Sequence, residues 1–242
     1  MPGSGIYPAG LDRYGQPHDF GSYGTAVLVN SQTAPMMLTA AHVAGSLSGA
    51  HELGHNEVLL LTGGAVGSGD RRLGEVVRSH PAEPSDEVHL DAALVHLDDH
   101  VTLERVVRTH GTSGRARDLD GSEDFITVYK RGCTSGLTEG TLDPTPESLR
   151  VRLPHAGGEP IVRDYLRGWF VEGHNGPFAR PGDSGAIVVD EDECVVGMVV
   201  ALRTDAVKGP QPTDLTYVVP IHDILLGLDV RLVGPDRQCT LV

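Results

Sequence analysis

Short runs of valine, leucine and isoleucine, each closed off by glycine or proline, constrain this chain more than any other feature. Both punctuating residues are penalised inside helices and favoured in turns, and the chain carries 31 glycines and 16 prolines in 242 residues. The pattern predicts an all-β protein. Candidate strands begin near Thr25, Met36, Glu57, Leu73, Ala92, Thr102, Phe125, Leu137, Ser148, Leu166, Ala186, Val195 and Thr216. That set suits two packed six-stranded antiparallel barrels followed by a short C-terminal helix. A chain of this length buries a core without disulfide staples. The polar stretch 109–124, rich in Gly, Ser, Arg and Asp, predicts the connection between barrels. A single domain over 1–242 is expected, with an N-terminal barrel over about 20–110, a connection at 111–124 and a C-terminal barrel and helix over 125–228.

Charge and cysteine usage narrow the function classes. A net charge of −14 disfavours nucleic acid and anionic membrane as partners. The segment Met1–Gly24 is rich in Gly, Pro and Tyr without an apolar core, and reads as neither secretory signal nor membrane anchor. Cys133, Cys194 and Cys239 cannot all pair, so free thiols in a reducing, cytoplasmic compartment are expected.

The chemistry concentrates at Arg180-Pro181-Gly182-Asp183-Ser184-Gly185-Ala186, ahead of an apolar strand. A serine hydroxyl attacks an acyl carbon when a base takes its proton and backbone N–H groups await the oxyanion. Glycine at 182 lets the chain turn such an N–H inward, and Gly185 permits close packing behind the serine. Upstream, Leu38-Thr39-Ala40-Ala41-His42-Val43 places a histidine just past an apolar strand. Leu90-Asp91-Ala92-Ala93-Leu94-Val95 places an aspartate at the head of another. The apolar run behind Asp91 favours it over Asp86, Asp98 and Asp99.

A competing pattern is His51-Glu52-Leu53-Gly54-His55. On a helix the two imidazoles would lie four residues apart on one face and could share a zinc ion, with the glutamate activating its water. Glycines and serines precede it and a strand follows from Glu57, so a polar loop is the expectation here, with no metal and no cofactor.

Histidine, aspartate and serine in this order resemble the chymotrypsin-like, or trypsin-like, serine proteases. Further landmarks carry the resemblance: Gly24–Val29 is similar to the first barrel strand, and Gly132-Cys133-Thr134-Ser135-Gly136-Leu137-Thr138-Glu139-Gly140 to a strand and loop of the non-vertebrate members. Val195–Val200 is similar to the strand that walls the specificity pocket, and Tyr217–Ile221 running into Leu228 to the closing strand and helix. The resemblance implies Ser184 as nucleophile, His42 as general base and Asp91 as its partner, with an oxyanion hole from the N–H groups of Gly182 and Ser184. It places Phe178, Val199, Val200, Ala201 and Leu202 around the substrate pocket, with no aspartate there, which favours an apolar or small side chain at the cleaved position. Val200 falls where many relatives carry a serine that supports the aspartate, so Asp91 is expected to have one donor fewer. No Ile-Val-Gly-Gly-like segment follows a basic residue, so the resemblance does not extend to activation by cleavage. The implied function is serine endopeptidase action on a protein or peptide substrate, with a regulatory partner protein or domain a further expectation. An inactive relative that keeps the fold as a peptide-binding scaffold is the alternative.

Overall fold

The structure is a computed structural model describing residues 5–8, 21–22, 29–31, 34–44, 57–61, 71–80, 90–98, 114–153, 161–204 and 214–232. Its first sheet contains β1 (Gly5–Pro8), β2 (Gly21–Ser22), β3 (Val29–Ser31), β4 (Ala34–Ala40), β5 (Glu57–Leu61), β6 (Arg71–His80) and β7 (Ala92–Leu97). They lie in the order β2-β1-β5-β6-β7-β4-β3, so among the described residues this barrel-like sheet has seven strands, two of them from the N-terminal segment. The second sheet contains β8 (Ile126–Gly132), β9 (Gly136–Leu153), β10 (Ile161–Gly173), β11 (Ile187–Asp190), β12 (Val195–Thr204) and β13 (Asp214–Pro220). These six close into a barrel, and a helix, α1 (Ile221–Gly227), follows. The expected strands at Thr25 and Thr102 begin outside the described residues. Among the described residues no helix is long and apolar enough to cross a membrane.

Alternation along the strands divides the apolar side chains between two cores. Successive residues of a strand face opposite sides of its sheet. Val188, Val196, Val199 and Val218 point into the second barrel, where they meet Trp169, Val171 and Phe178. Their neighbours Ile187, Val195, Met198, Val200, Tyr217 and Val219 face out and join Met37, Leu38, Ala41, Leu90 and Ala92 of the first sheet. This second core holds the two sheets together. Each side chain of valine or leucine size fully buried there contributes roughly 1.5–3 kcal/mol.

Two details differ from the sequence reading. The strands expected at Leu137 and Ser148 are one strand, β9, although Pro144 and Pro146 lie inside it. The β9–β10 ladder shifts register between Gly168↔Glu147 and Phe170↔Asp143. The prolines fall in that irregularity, where a missing N–H breaks no ladder bond. The segment read as a connection also packs on the second barrel. Ala116 bridges Val195, Arg117 pairs with Asp190 at 3.0 Å, and Leu119 is fully buried in the barrel.

Candidate active site

Strand register explains how His42 and Asp91 meet. The antiparallel pair β4 and β7 is aligned with Ala40 opposite Ala92. Residues just after β4 and just before β7 therefore emerge at one end of the pair. A tight turn, in which the N–H groups of Val43 and Ala44 both donate to Ala40 O, brings His42 back over that end. Asp91 sits at φ 48°, a left-handed conformation that aspartate tolerates better than most residues. Its carbonyl accepts from Ala41 N at 2.9 Å, and its carboxylate Oδ1 accepts from His42 N at 2.9 Å. The imidazole Nδ1 lies 2.6 Å from Asp91 Oδ2. An ionised carboxylate only accepts, so Nδ1 carries the proton and Nε2 is the unprotonated nitrogen, the one that can act as a base.

Asp91 is completely buried, and burial alone would raise its pKa. The charge of His42 and the hydrogen bonds from His42 and Tyr165 together outweigh that and hold the carboxyl below the usual carboxylate range. The bond from Tyr165 corrects the expectation that Asp91 has one donor fewer. Val200 has no hydroxyl and lies in the core between the sheets. The phenol of Tyr165, arriving from β10 of the second barrel, donates to Asp91 Oδ2 at 2.7 Å. Sequence reasoning missed Tyr165 because alternation along β10 would have turned it the other way.

Ser184 is half-buried in the turn that leads into β11, between Gly182 at φ 95° and Gly185 at φ 92°. These left-handed conformations favour glycine at both positions. A Cβ at Gly182 would also collide with Thr134 Oγ1. The turn is tied to its surroundings: Gly185 N donates to Val199 O at 2.7 Å, Ala186 N to Asp183 O at 3.0 Å, and Cys133 Sγ to Gly182 O at 3.1 Å.

Asp183, adjacent to Ser184, is the anchor of this loop. Its buried carboxylate accepts from the N–H groups of Thr134 at 2.9 Å, Ser135 at 3.2 Å and Arg180 at 3.0 Å, and from Ser135 Oγ at 2.5 Å. Lys130 Nζ lies 3.2 Å away, itself fully buried, hydrogen-bonded to Ser135 Oγ and 5.5 Å from the centre of the Phe178 ring. Gly132 leaves room for the carboxylate, since a Cβ there would overlap it. Burial works against both charges. For Asp183 the Ser135 hydroxyl, the Lys130 charge and the backbone donors prevail, and its pKa is lowered. For Lys130 burial prevails over the attraction of Asp183, and its pKa is also lowered.

Sequence reasoning also passed over Lys130, although a signal for it was present. It is one of two lysines in the chain, and on β8 it shares the inward face with Val128 and Gly132. A lysine at an inward position of an alternating strand needs an anionic partner.

The expected pocket residues divide between faces. Phe178 and Val199 contribute to the second barrel's core, Val200 to the core between sheets, and Ala201 and Leu202 keep partial exposure. Thr138 Oγ1 donates to Phe178 O at 2.7 Å and steadies the segment before the serine loop. Among the described residues Cys133 and Cys194 take part in no disulfide, while Cys239 lies outside the described residues. So do His51 and His55 of the competing zinc pattern.

Comparison with solved structures agrees with this architecture. A glutamic acid-specific serine protease, described as using a histidine triad in substrate binding, aligns over 96% of this chain and 98% of its own at 16% identity and a TM-score of 0.56. Nocardiopsis protease aligns over 96% and 97% at 17% identity and a TM-score of 0.55. Thermobifida fusca protease A aligns over 97% and 98% at 17% identity and a TM-score of 0.56. Likeness at these identities concerns the fold. Among curated proteins, 107 residues are 32% identical to mitochondrial RNA pseudouridine synthase 3 of Oryza sativa subsp. japonica and 102 residues are 34% identical to its Arabidopsis thaliana counterpart. Those matches span 42% and 40% of this chain, which covers only about a fifth of either relative's length. The sequence itself matches the trypsin family over residues 8–225, and with a closed six-stranded barrel beside a second barrel-like sheet, the chain belongs to that family.

Proposed function

We propose that the protein is a serine endopeptidase in which Ser184 is the nucleophile, His42 the general base and Asp91 the residue that orients and stabilises the imidazole. The observation that carries this reading is the His42–Asp91 pair, bonded through both carboxylate oxygens with Nδ1 committed to Asp91. In the proposed reaction, Ser184 Oγ attacks the peptide carbonyl as His42 Nε2 takes its proton. The proton then passes to the departing amine, leaving an acyl-enzyme. A water activated by the same nitrogen releases the acid and restores Ser184. The N–H groups of Gly182 and Ser184 would stabilise the oxyanion at each step. The local partners of Asp183 support this assignment, since they hold the loop that carries both groups.

The pH profile tests the base. Only neutral imidazole accepts the serine proton, so kcat/KM is expected to rise with pH through one ionisation at about pH 6–7.5. His42→Ala should remove that ionisation. Asp91→Asn should lower turnover roughly 10⁴-fold, because the amide favours the wrong tautomer and cannot stabilise imidazolium. A flat profile in an active enzyme would exclude His42 as the base.

A zinc mechanism through His51 and His55 makes a different forecast. Under the serine reading a chelator leaves activity unchanged and His51→Ala with His55→Ala has little effect. Loss on chelation that zinc reverses would replace the serine mechanism. Binding of peptide with no hydrolysis and no covalent labelling by a fluorophosphonate would favour the scaffold alternative.

A further inference from the structure

We propose that Tyr165 is a positioning residue for the triad, its phenol holding the Asp91 carboxylate in the orientation His42 needs and making a competent site depend on the seating of the second barrel against the first. The inference rests on the serine-peptidase reading of the site and concerns how its carboxylate is held.

A local defect in β10 delivers this phenol. Tyr165 and Trp169 are four residues apart, so an unbroken strand would turn both into the barrel, where Trp169 lies. The pairing is Tyr165↔Leu149 and then Gly168↔Glu147, which leaves one extra residue on β10. Such a bulge reverses which face the following residues occupy and re-aims a side chain. Tyr165 therefore shares the outward face with Gly168 and Phe170, towards the first sheet.

On that face the ring is fixed from behind. Tyr165 packs against Tyr217 with ring centres 5.6 Å apart, and Tyr217 meets Phe170 edge-on at 5.2 Å. The Tyr217 hydroxyl donates to Glu147 O at 2.7 Å. Gly168 makes the space, because a Cβ there would overlap the Tyr217 ring. Tyr165 itself is buried, and its hydroxyl reaches Asp91 Oδ2 at 2.7 Å, the same oxygen that accepts from His42 Nδ1. The carboxylate belongs to the first sheet and the phenol to the second barrel, so this bond exists only when the two are docked.

Sharing one oxygen sets the sign of the effect. A second donor draws charge from Oδ2 and moderates its stabilisation of imidazolium, so losing that donor makes His42 more basic as well as less well oriented. Titratable groups around the contact, among the described residues, include His42 on Asp91, Tyr217 from β13 against Tyr165, and Glu147 on β9 beside Tyr217. All are retained in the variants that follow.

The test compares Tyr165→Phe with site-specific 3-fluorotyrosine at 165, reading the proton resonance of His42 Nδ1–H by NMR across pH and, in parallel, kcat and KM. Phenylalanine keeps the ring packing. Its expected effect is an upward shift of the His42 pKa by about half a unit to one unit, with kcat lowered about 10- to 100-fold and KM little changed. The fluorinated phenol is a stronger donor, so the same pKa should move down. Shifts in opposite directions support the inference, because a purely structural role predicts no such inversion. An unmoved His42 titration in both variants, or shifts of the same sign, would overturn it. The resonance is read without substrate, so it judges Tyr165 even if no serine reacts with a fluorophosphonate, an outcome that would defeat the peptidase reading alone.

Discussion

Ser184→Ala is expected to lower peptidase turnover by about 10⁴- to 10⁶-fold while leaving the fold intact. The loss is large because the change removes the attacking oxygen together with the proton that His42 takes. The structural effect is small because the change removes one atom at a half-buried position, and such changes usually stay within about 0.5 kcal/mol. The glycines on either side, which hold the left-handed turns, are untouched. Steady-state kinetics beside a thermal unfolding curve checks both halves. Turnover within tenfold of the parent would show that another residue is the nucleophile.

Separating Lys130 from Asp183 is expected to be the most destabilising change near the site. Lys130→Met leaves a buried carboxylate whose remaining donors, among the described residues, are Ser135, Thr134 and Arg180. Asp183→Ala leaves a buried ammonium facing a hydroxyl and the Phe178 ring. Each single change should reduce unfolding free energy by about 3–5 kcal/mol, since it strands a charge away from water. The double change should fall short of the sum of the two, because it strands none. Asp183 also has a defined pH signature. Its folded pKa lies below the ordinary value of 3.8, so the stability it confers is present above that value and is lost as pH falls through the depressed one. Asp183→Asn should therefore flatten the acid limb of the stability curve. Chemical denaturation at several pH values measures all of this, and singles as stable as the parent would show that the pair is not the anchor.

Legibility in the sequence followed what is local. Alternation and turn residues were enough for most strands of the second barrel, because a half-buried strand must repeat every second residue. The His42 and Asp91 turns were legible because each lies directly beside an apolar strand, and the pairing of β4 with β7 then forces them together. What escaped depended on ladder irregularities. The prolines at 144 and 146 look like a strand end until the shifted partner strand supplies a place for them. Tyr165 faces the wrong way under strict alternation, and only the extra residue on β10 turns it towards Asp91. The resemblance to relatives likewise pointed to a missing hydroxyl at Val200 but could not say which other strand would provide one.

The most direct test is peptide mapping by mass spectrometry after exposure to a fluorophosphonate, which forms a covalent adduct with an activated serine. The account predicts one adduct, on the peptide containing Ser184, forming faster as pH rises through the His42 ionisation and absent from His42→Ala. No adduct on native, folded protein, or an adduct on a different residue with Ser184 unmodified, would contradict it.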